Sequence, residues 1–198
     1  GVQTCALPIL MGPDCGTAII NGKPLCFANV VRGGSIGVVA ASGTGLQEVT
    51  CSIEKLGEGV TQAIGTGGRD LKNERVGGTM MLMGIEALKN DPQTQVIAVI
   101  SKPPAESVAK KVIAALAQTG KPCVVHFIGL PKRSPEGSVH YAGNLEEAAG
   151  MAVALARGEP YEAKVFTLTS AEVENLVARE TAGMSGQQKY LRGLYTGG

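Results

Sequence analysis

The chain has no tryptophan and few aromatic residues of any kind, 4% of 198 residues, so it lacks the stacking platforms on which single-stranded nucleic acids lie. No run of Lys and Arg occurs and the formal net charge is +1, which argues against a broad basic surface for nucleic-acid backbones. Two histidines and five widely spaced cysteines without a C-x-x-C provide no zinc spacing. Such unclustered cysteines suit a reducing compartment, so a cytoplasmic location is expected and the cysteines read as small core residues. No apolar run is long enough to span a membrane, and nothing resembles a signal peptide. Neither nucleic acid nor membrane is expected as a partner.

What the chain does have is glycine, 28 residues, and a 44% hydrophobic content, enough for one sizeable core. The glycines fall singly or in pairs between apolar runs, where tight turns belong. Ala18–Ile20 and Leu25–Val31 flank Asn21-Gly22, a strong hairpin dipeptide. A regular alternation follows. Strands are predicted at Ser35–Ala40, Val60–Ile64, Gln95–Ser101, Cys123–Ile128 and Gly137–Ala142. Between them lie a helix through Leu46, Val49, Ile53 and Leu56 ended by Gly57, then helices at Val76–Lys89, Ala105–Thr119 and Leu145–Arg157. Further on, Thr169-x-x-Glu172 predicts a capped helix from Ser170 to about Arg179, and Ser185-x-x-Gln188 a short helix at Gln187–Leu194.

Continuous β-branched strands alternating with helices mean a parallel sheet covered on both faces. The predicted fold is an α/β, doubly wound, flavodoxin-like parallel sheet over residues 34–158, with a C-terminal helical linker at 159–198 and a hairpin-bearing linker at 11–33. Residues 1–10 begin without Met and resemble translated adapter read-through, so they are expected to be non-native. The chain is expected to be a fragment of a longer, oligomeric protein, with further domains on either side.

In an open α/β sheet, ligands bind beyond the carboxyl ends of the strands. Those ends carry Ser42, Gly43, Thr44 and Gly45, then Gly65, Thr66, Gly67, Gly68 and Arg69, then Lys102. All are small, hydroxyl-bearing or basic. The first turn offers backbone N–H groups, two hydroxyls and the positive end of a helix dipole, worth roughly half a unit charge. It predicts a phosphate-type anion site, with Gly65–Arg69 as a second wall and Lys102 and Arg69 as neutralising cations. The alternative is that Thr44-x-x-Gln47 is a capping box serving its own helix. The second turn is not a P-loop, because no Lys-Ser/Thr ends it, and Asp70 spoils a G-x-G-x-x-G. His126 reads as a satisfied core or rim histidine, and Lys132 and Arg133 as solvated. No metal site is expected.

Gly12-Pro13-Asp14-Cys15-Gly16 is similar to the interdomain GPNCPG of the succinyl-CoA synthetase α subunit, and Gly37–Thr44 (GVVAASGT) resembles that family's GIVSRSGT. The stretches Ala41–Thr50, Gln62–Asp70, Ile100–Pro104 and Lys189–Leu194 resemble the FdrA family of acyl-CoA synthetase-like proteins more closely. The resemblance covers nearly everything from Met11 onward. It departs at the synthetase's phosphohistidine loop, GHAGA, where this chain has His140-Tyr141-Ala142-Gly143-Asn144. The glutamate that orients that histidine corresponds to Lys102. The resemblance therefore implies a ligase-type domain working without a phosphohistidine. It implies phosphate, acyl phosphate or carbamoyl phosphate as ligand, and carbamoyl transfer of the oxamate carbamoyltransferase kind in allantoin catabolism, with partner subunits. No cofactor is expected within this stretch. CoA or a nucleotide is left to the full-length protein, and the CoA-binding domain is expected to precede Met11. Alternatives are a carboxylate–CoA ligase and a non-catalytic assembly subunit.

Overall fold

The structure, a computed structural model, describes residues 15–163, 167–190 and 192–194. The chain divides into two compact units, one up to Tyr161 and one from Glu162 onward. The first runs β1 (Thr17–Ile20), β2 (Lys23–Cys26), β3 (Ile36–Ala41), α1 (Gly43–Lys55), β4 (Val60–Gly65), α2 (Thr79–Asn90), β5 (Val96–Ser101), α3 (Glu106–Ala117), β6 (Cys123–Phe127), β7 (Val139–Tyr141) and α4 (Leu145–Arg157).

Seven strands make one sheet in the order β2-β1-β4-β3-β5-β6-β7. Strands β3 to β7 are mutually parallel, and β1 is antiparallel to both β2 and β4. Among the parallel strands the second lies beside the first and the rest extend the other way, the flavodoxin-like order. Winding reverses at β3, which opens a crevice at the carboxyl ends of β3 and β5.

The unbroken apolar strands follow from burial on both faces. Val38, Ala40, Ala98 and Ile100 pack under Leu46, Val49 and Ile53 of α1 and the alanines of α4. Val39, Ala41, Ile97 and Val99 face Met81, Ile85 and Leu88 of α2 and Val108, Val112 and Leu116 of α3. Each Val, Leu, Ile or Met side chain removed from water in this way contributes roughly 1.5–3 kcal/mol before entropy is charged. The helix ends match their signals. Asn144 caps α4 by accepting from Glu147 N at 2.7 Å, and Gly158 closes it at φ 69°.

Several boundaries differ from expectation. The hairpin turns at Asn21 and Gly22, both with positive φ, but it is hydrogen-bonded to β4 and so extends the sheet. Its second run pairs only as far as Cys26, where φ is 55°, and Val30 is exposed. Helix α2 begins at Thr79 rather than Val76, because Gly77 and Gly78 are both left-handed. Cys123 is buried as a core residue, whereas Cys26 is exposed on the edge strand and Cys15 and Cys51 are half-buried. Cys5 lies outside the described residues.

The second unit holds α5 (Ser170–Thr181), with the expected capping box between Thr169 and Glu172. Apolar residues such as Val177 are exposed on it. The helix expected at 187–194 is not formed among the described residues. Gln188 Oε1 accepts from Ser185 N and Gln188 N donates to Ser185 O, which makes a turn.

Candidate functional site

The turn after β3 is set by Ser42, not Thr44. Ser42 is the N-cap of α1, its backbone extended and its Oγ accepting from Gly45 N at 3.2 Å. Thr44 lies inside α1 rather than at its N-cap, and the Gln47 amide donates to the carbonyl of Phe27. Gly43 and Thr44 are exposed, and Ser42 and Gly45 are buried. Gly45 has a packing reason to be glycine. A Cβ there would lie 2.9 Å from Ser42 Oγ and 3.1 Å from Ile100 Cγ2, so α1 can start only by pressing its backbone onto the end of β5. No acidic residue occupies the first turn of α1. Its positive end therefore faces the crevice with a neutral cap.

The turn after β4 is built differently. A Cβ on Gly65 would lie 2.4 Å from the carbonyl oxygen of Thr17, and the Cys15 thiol donates to Gly65 O at 2.7 Å. Thr66 is buried, and its N–H donates to Ala40 O at 2.9 Å. Gly67 has φ 84°. Asp70, which looks in the sequence only like a flaw in a glycine motif, is 4% exposed and caps α2. Its carboxylate accepts from Met80 N at 3.0 Å and Met81 N at 2.8 Å. A residue ten positions upstream thus fills the N-terminus of that helix, a link with no local sequence signal.

Ala41 pairs with Ser101, and Ala40 with Gly65, so Ser42, Thr66 and Lys102 stand on three neighbouring strand ends. Lys102 is exposed. Arg69 is carried elsewhere. It lines an open groove of about 590 Å³ with Lys72, Asn73, Glu74 and Arg75, and neither the Ser42–Gly45 turn nor Lys102 contributes to that groove. Lys132 forms an ion pair with Glu147. His126 is buried, with Nδ1 2.9 Å from Ala142 O, and His140 is half-buried in β7. Among the described residues no three His, Cys, Asp or Glu side chains gather as a metal site, and no helix is long and apolar enough to cross a membrane.

Comparison with known proteins agrees with this architecture. Residues 32–129 match the protein family described as CoA binding domain. The chain is 49% identical over 191 residues to "Uncharacterized protein YahF" of Escherichia coli (strain K12), covering 96% of this chain and 36% of that protein. It is 25% identical over 174 residues to subunit alpha 2 of the ADP-forming succinate–CoA ligase of Archaeoglobus fulgidus, covering 85% and 58%. Its fold is similar to that of the ATP citrate lyase from Methanothrix soehngenii, solved in complex with citrate and coenzyme A. There the TM-score is 0.54 and the identity 19%, over 92% of this chain and 36% of that one. The chain thus spans 36% and 58% of the two relatives. The expectation that CoA binding belongs before Met11 meets a family match lying within the sheet itself.

Proposed function

We propose that the first unit is the ligase-type domain of a larger acyl-CoA synthetase-like enzyme of the FdrA kind, holding phosphate or an acyl phosphate on the Ser42–Gly45 turn. The observation that carries this reading is the N-terminus of α1. It stands at the winding reversal of the sheet, with a neutral cap and no acidic residue in its first turn. Lys102, directly after the neighbouring β5, supplies a cation. Gly65–Gly68 forms the far wall, while Arg69 lines the separate groove with Lys72 and Arg75. In carbamoyl transfer a phosphate oxygen bonds to the carbamoyl carbon as that carbon's bond to the oxamate nitrogen breaks, and the nitrogen takes up a proton. The turn holds the phosphate through backbone N–H groups and Ser42 and Thr44, so no phosphohistidine is required. Acyl transfer to CoA would use the same held phosphate, with partner subunits or flanking domains contributing the rest.

A second reading has CoA itself on this turn, its pyrophosphate against α1. The match of residues 32–129 to a CoA-binding family favours it. Both readings place a phosphate on one helix end and differ in what the phosphate carries.

A thermal-shift titration at fixed ionic strength with phosphate, acetyl phosphate, carbamoyl phosphate and CoA separates them. Ligand at ten times its dissociation constant adds about 1.4 kcal/mol, roughly 3–6 °C for a chain of this size. Carbamoyl phosphate is expected to give the largest shift. A shift with CoA alone selects the second reading. A folded sample that shifts with none of them overturns both and leaves an assembly subunit.

A further inference from the structure

The loop between β4 and α2 carries Arg69, Lys72 and Arg75, all three exposed. With Asn73 and Glu74 they line the open groove of about 590 Å³. Arg32 and Arg157, in the same unit, are held by Glu54 and Glu58, each at 2.8 Å. The side chains of Arg69, Lys72 and Arg75 have no ion-paired or hydrogen-bonded partner among the described residues. The loop's own acidic residues are engaged elsewhere. Asp70 is buried and caps α2 through Met80 N and Met81 N. Glu74 accepts from Ser107 Oγ of α3 at 2.7 Å. Three cations against the one carboxylate in the lining leave the groove with an excess of positive charge. Lys111 of α3 reaches the same loop, its Nζ 3.9 Å from where a Cβ on Gly77 would stand.

These cations stand on a fixed frame. Leu71 is 1% exposed, packed in the core, and its carbonyl accepts from Ala105 N at 2.9 Å. The Asp70 carbonyl accepts from Gly78 N at 3.0 Å. Asn73 takes Gly77 N on its carbonyl and Arg75 N on its Oδ1, both at 2.9 Å. With the backbone pinned, only the side-chain ends lose freedom when a ligand arrives, which keeps the cost of binding low. Cations gathered on one short loop without counter-charge repel one another, and an anion relieves that repulsion. The volume lies in the range of small-molecule sites. A guanidinium takes one phosphate or carboxylate through a two-pronged contact, and an ammonium adds a point charge. Two guanidiniums with a lysine between them in the chain therefore suit two linked anionic groups. Water reaches this open groove, so charge rather than apolar burial ranks its ligands. A phosphate group carries more charge than a carboxylate.

We propose that this groove binds a diphosphate group, free or on an ester, gripped by Arg69 and Arg75 with Lys72 adding charge. The Ser42–Gly45 turn does not line it, and the site stands whichever reading that turn is given. The test is nitrogen–proton NMR of the full chain at fixed ionic strength, following the amides of residues 69–76 and 42–46 and the arginine Nε–H signals. Pyrophosphate, titrated to about 10 mM, tenfold over a dissociation constant of about 1 mM, should move residues 69–76 saturably. Malonate and inorganic phosphate should bind there about tenfold more weakly. UDP separates the two sources of the group: tighter binding than pyrophosphate selects an ester, weaker binding the free ion. Arg69→Gln and Arg75→Gln should each weaken pyrophosphate about tenfold. Ser42→Asp should leave the response of residues 69–76 unchanged. Malonate binding as tightly as pyrophosphate overturns the proposal, as does a pyrophosphate response confined to residues 42–46 or lost in Ser42→Asp. So do glutamine variants that bind as the natural chain does. If those variants do not fold, the ligand ranking and the place of the response in the natural chain decide alone.

Discussion

Two helix N-termini in this sheet sit next to each other in the chain and are finished in opposite ways. Helix α1 is capped by Ser42, a neutral hydroxyl satisfying one N–H, with no acidic residue in its first turn. Helix α2 is capped by Asp70, whose carboxylate takes two N–H groups at once. Both capping residues are 4% exposed, so burial does not distinguish them; charge does. A carboxylate on α2 cancels the positive end of that helix inside the protein, whereas α1 leaves its own for something outside. The lesson is that a Gly-rich strand-to-helix turn is a candidate anion site only when the chain has not already supplied the anion.

The comparison can be broken at either end. The largest expected effect is on α2. Asp70→Ala strips two N–H groups of a charged acceptor in a buried place and should cost about 2–3 kcal/mol, read as a lower denaturation midpoint at unchanged slope. An undiminished midpoint would mean that the carboxylate is not what starts α2. Next comes Ser42→Asp, which finishes α1 in the manner of α2. Asp and Ser cap about equally well, so the melting temperature should hold, while phosphate-type ligands should lose about tenfold or more in affinity, on the order of 1.4 kcal/mol. Unchanged binding would move the anion away from this turn. The smallest effect concerns α4, where the Glu147 carboxylate does part of what Asp70 does. Burial opposes its ionisation, but hydrogen bonds from Lys132 and from Gly143 N–H prevail and hold its carboxyl below the ordinary range. A depressed folded value means stability that is present above the unfolded pKa of about 4.3 and lost as pH falls through the folded one. Natural chain and Glu147→Gln should therefore differ by up to about 1 kcal/mol near neutrality and converge in acid. A gap that persists at low pH would assign the effect to packing.

The sheet and the order of its elements are legible in the sequence because they rest on local periodicity. Val38 and Ala40 alternate with Val39 and Ala41 between two helix layers, and Asn21-Gly22 marks its turn where expected. The start of α2 is not legible, since it depends on a carboxylate ten residues back and on two left-handed glycines. Ser42, Thr66 and Lys102 can be placed on neighbouring strand ends from the alternation alone. What Gly45 and Gly65 are for cannot, because the atoms they make room for belong to Ile100 and Thr17. His126 reads in the sequence as a satisfied histidine, but its partner has no local signal, since that hydrogen bond runs from one strand to the residue after another.

The hairpin has a kinetic consequence. Residues 17–26 close on themselves through a two-residue turn, and such a hairpin forms in about 1–10 μs. Two strands alone are at best marginally stable in water, and the partner of β1 is β4, more than forty residues along the chain. That partner takes its place only beside β3, through the slower parallel pairing that a helix crossover imposes. The hairpin is therefore ready early and locks late, when the Thr17 carbonyl settles against Gly65. Slowing that last step lengthens the time during which the far edge of β4 stands unpaired.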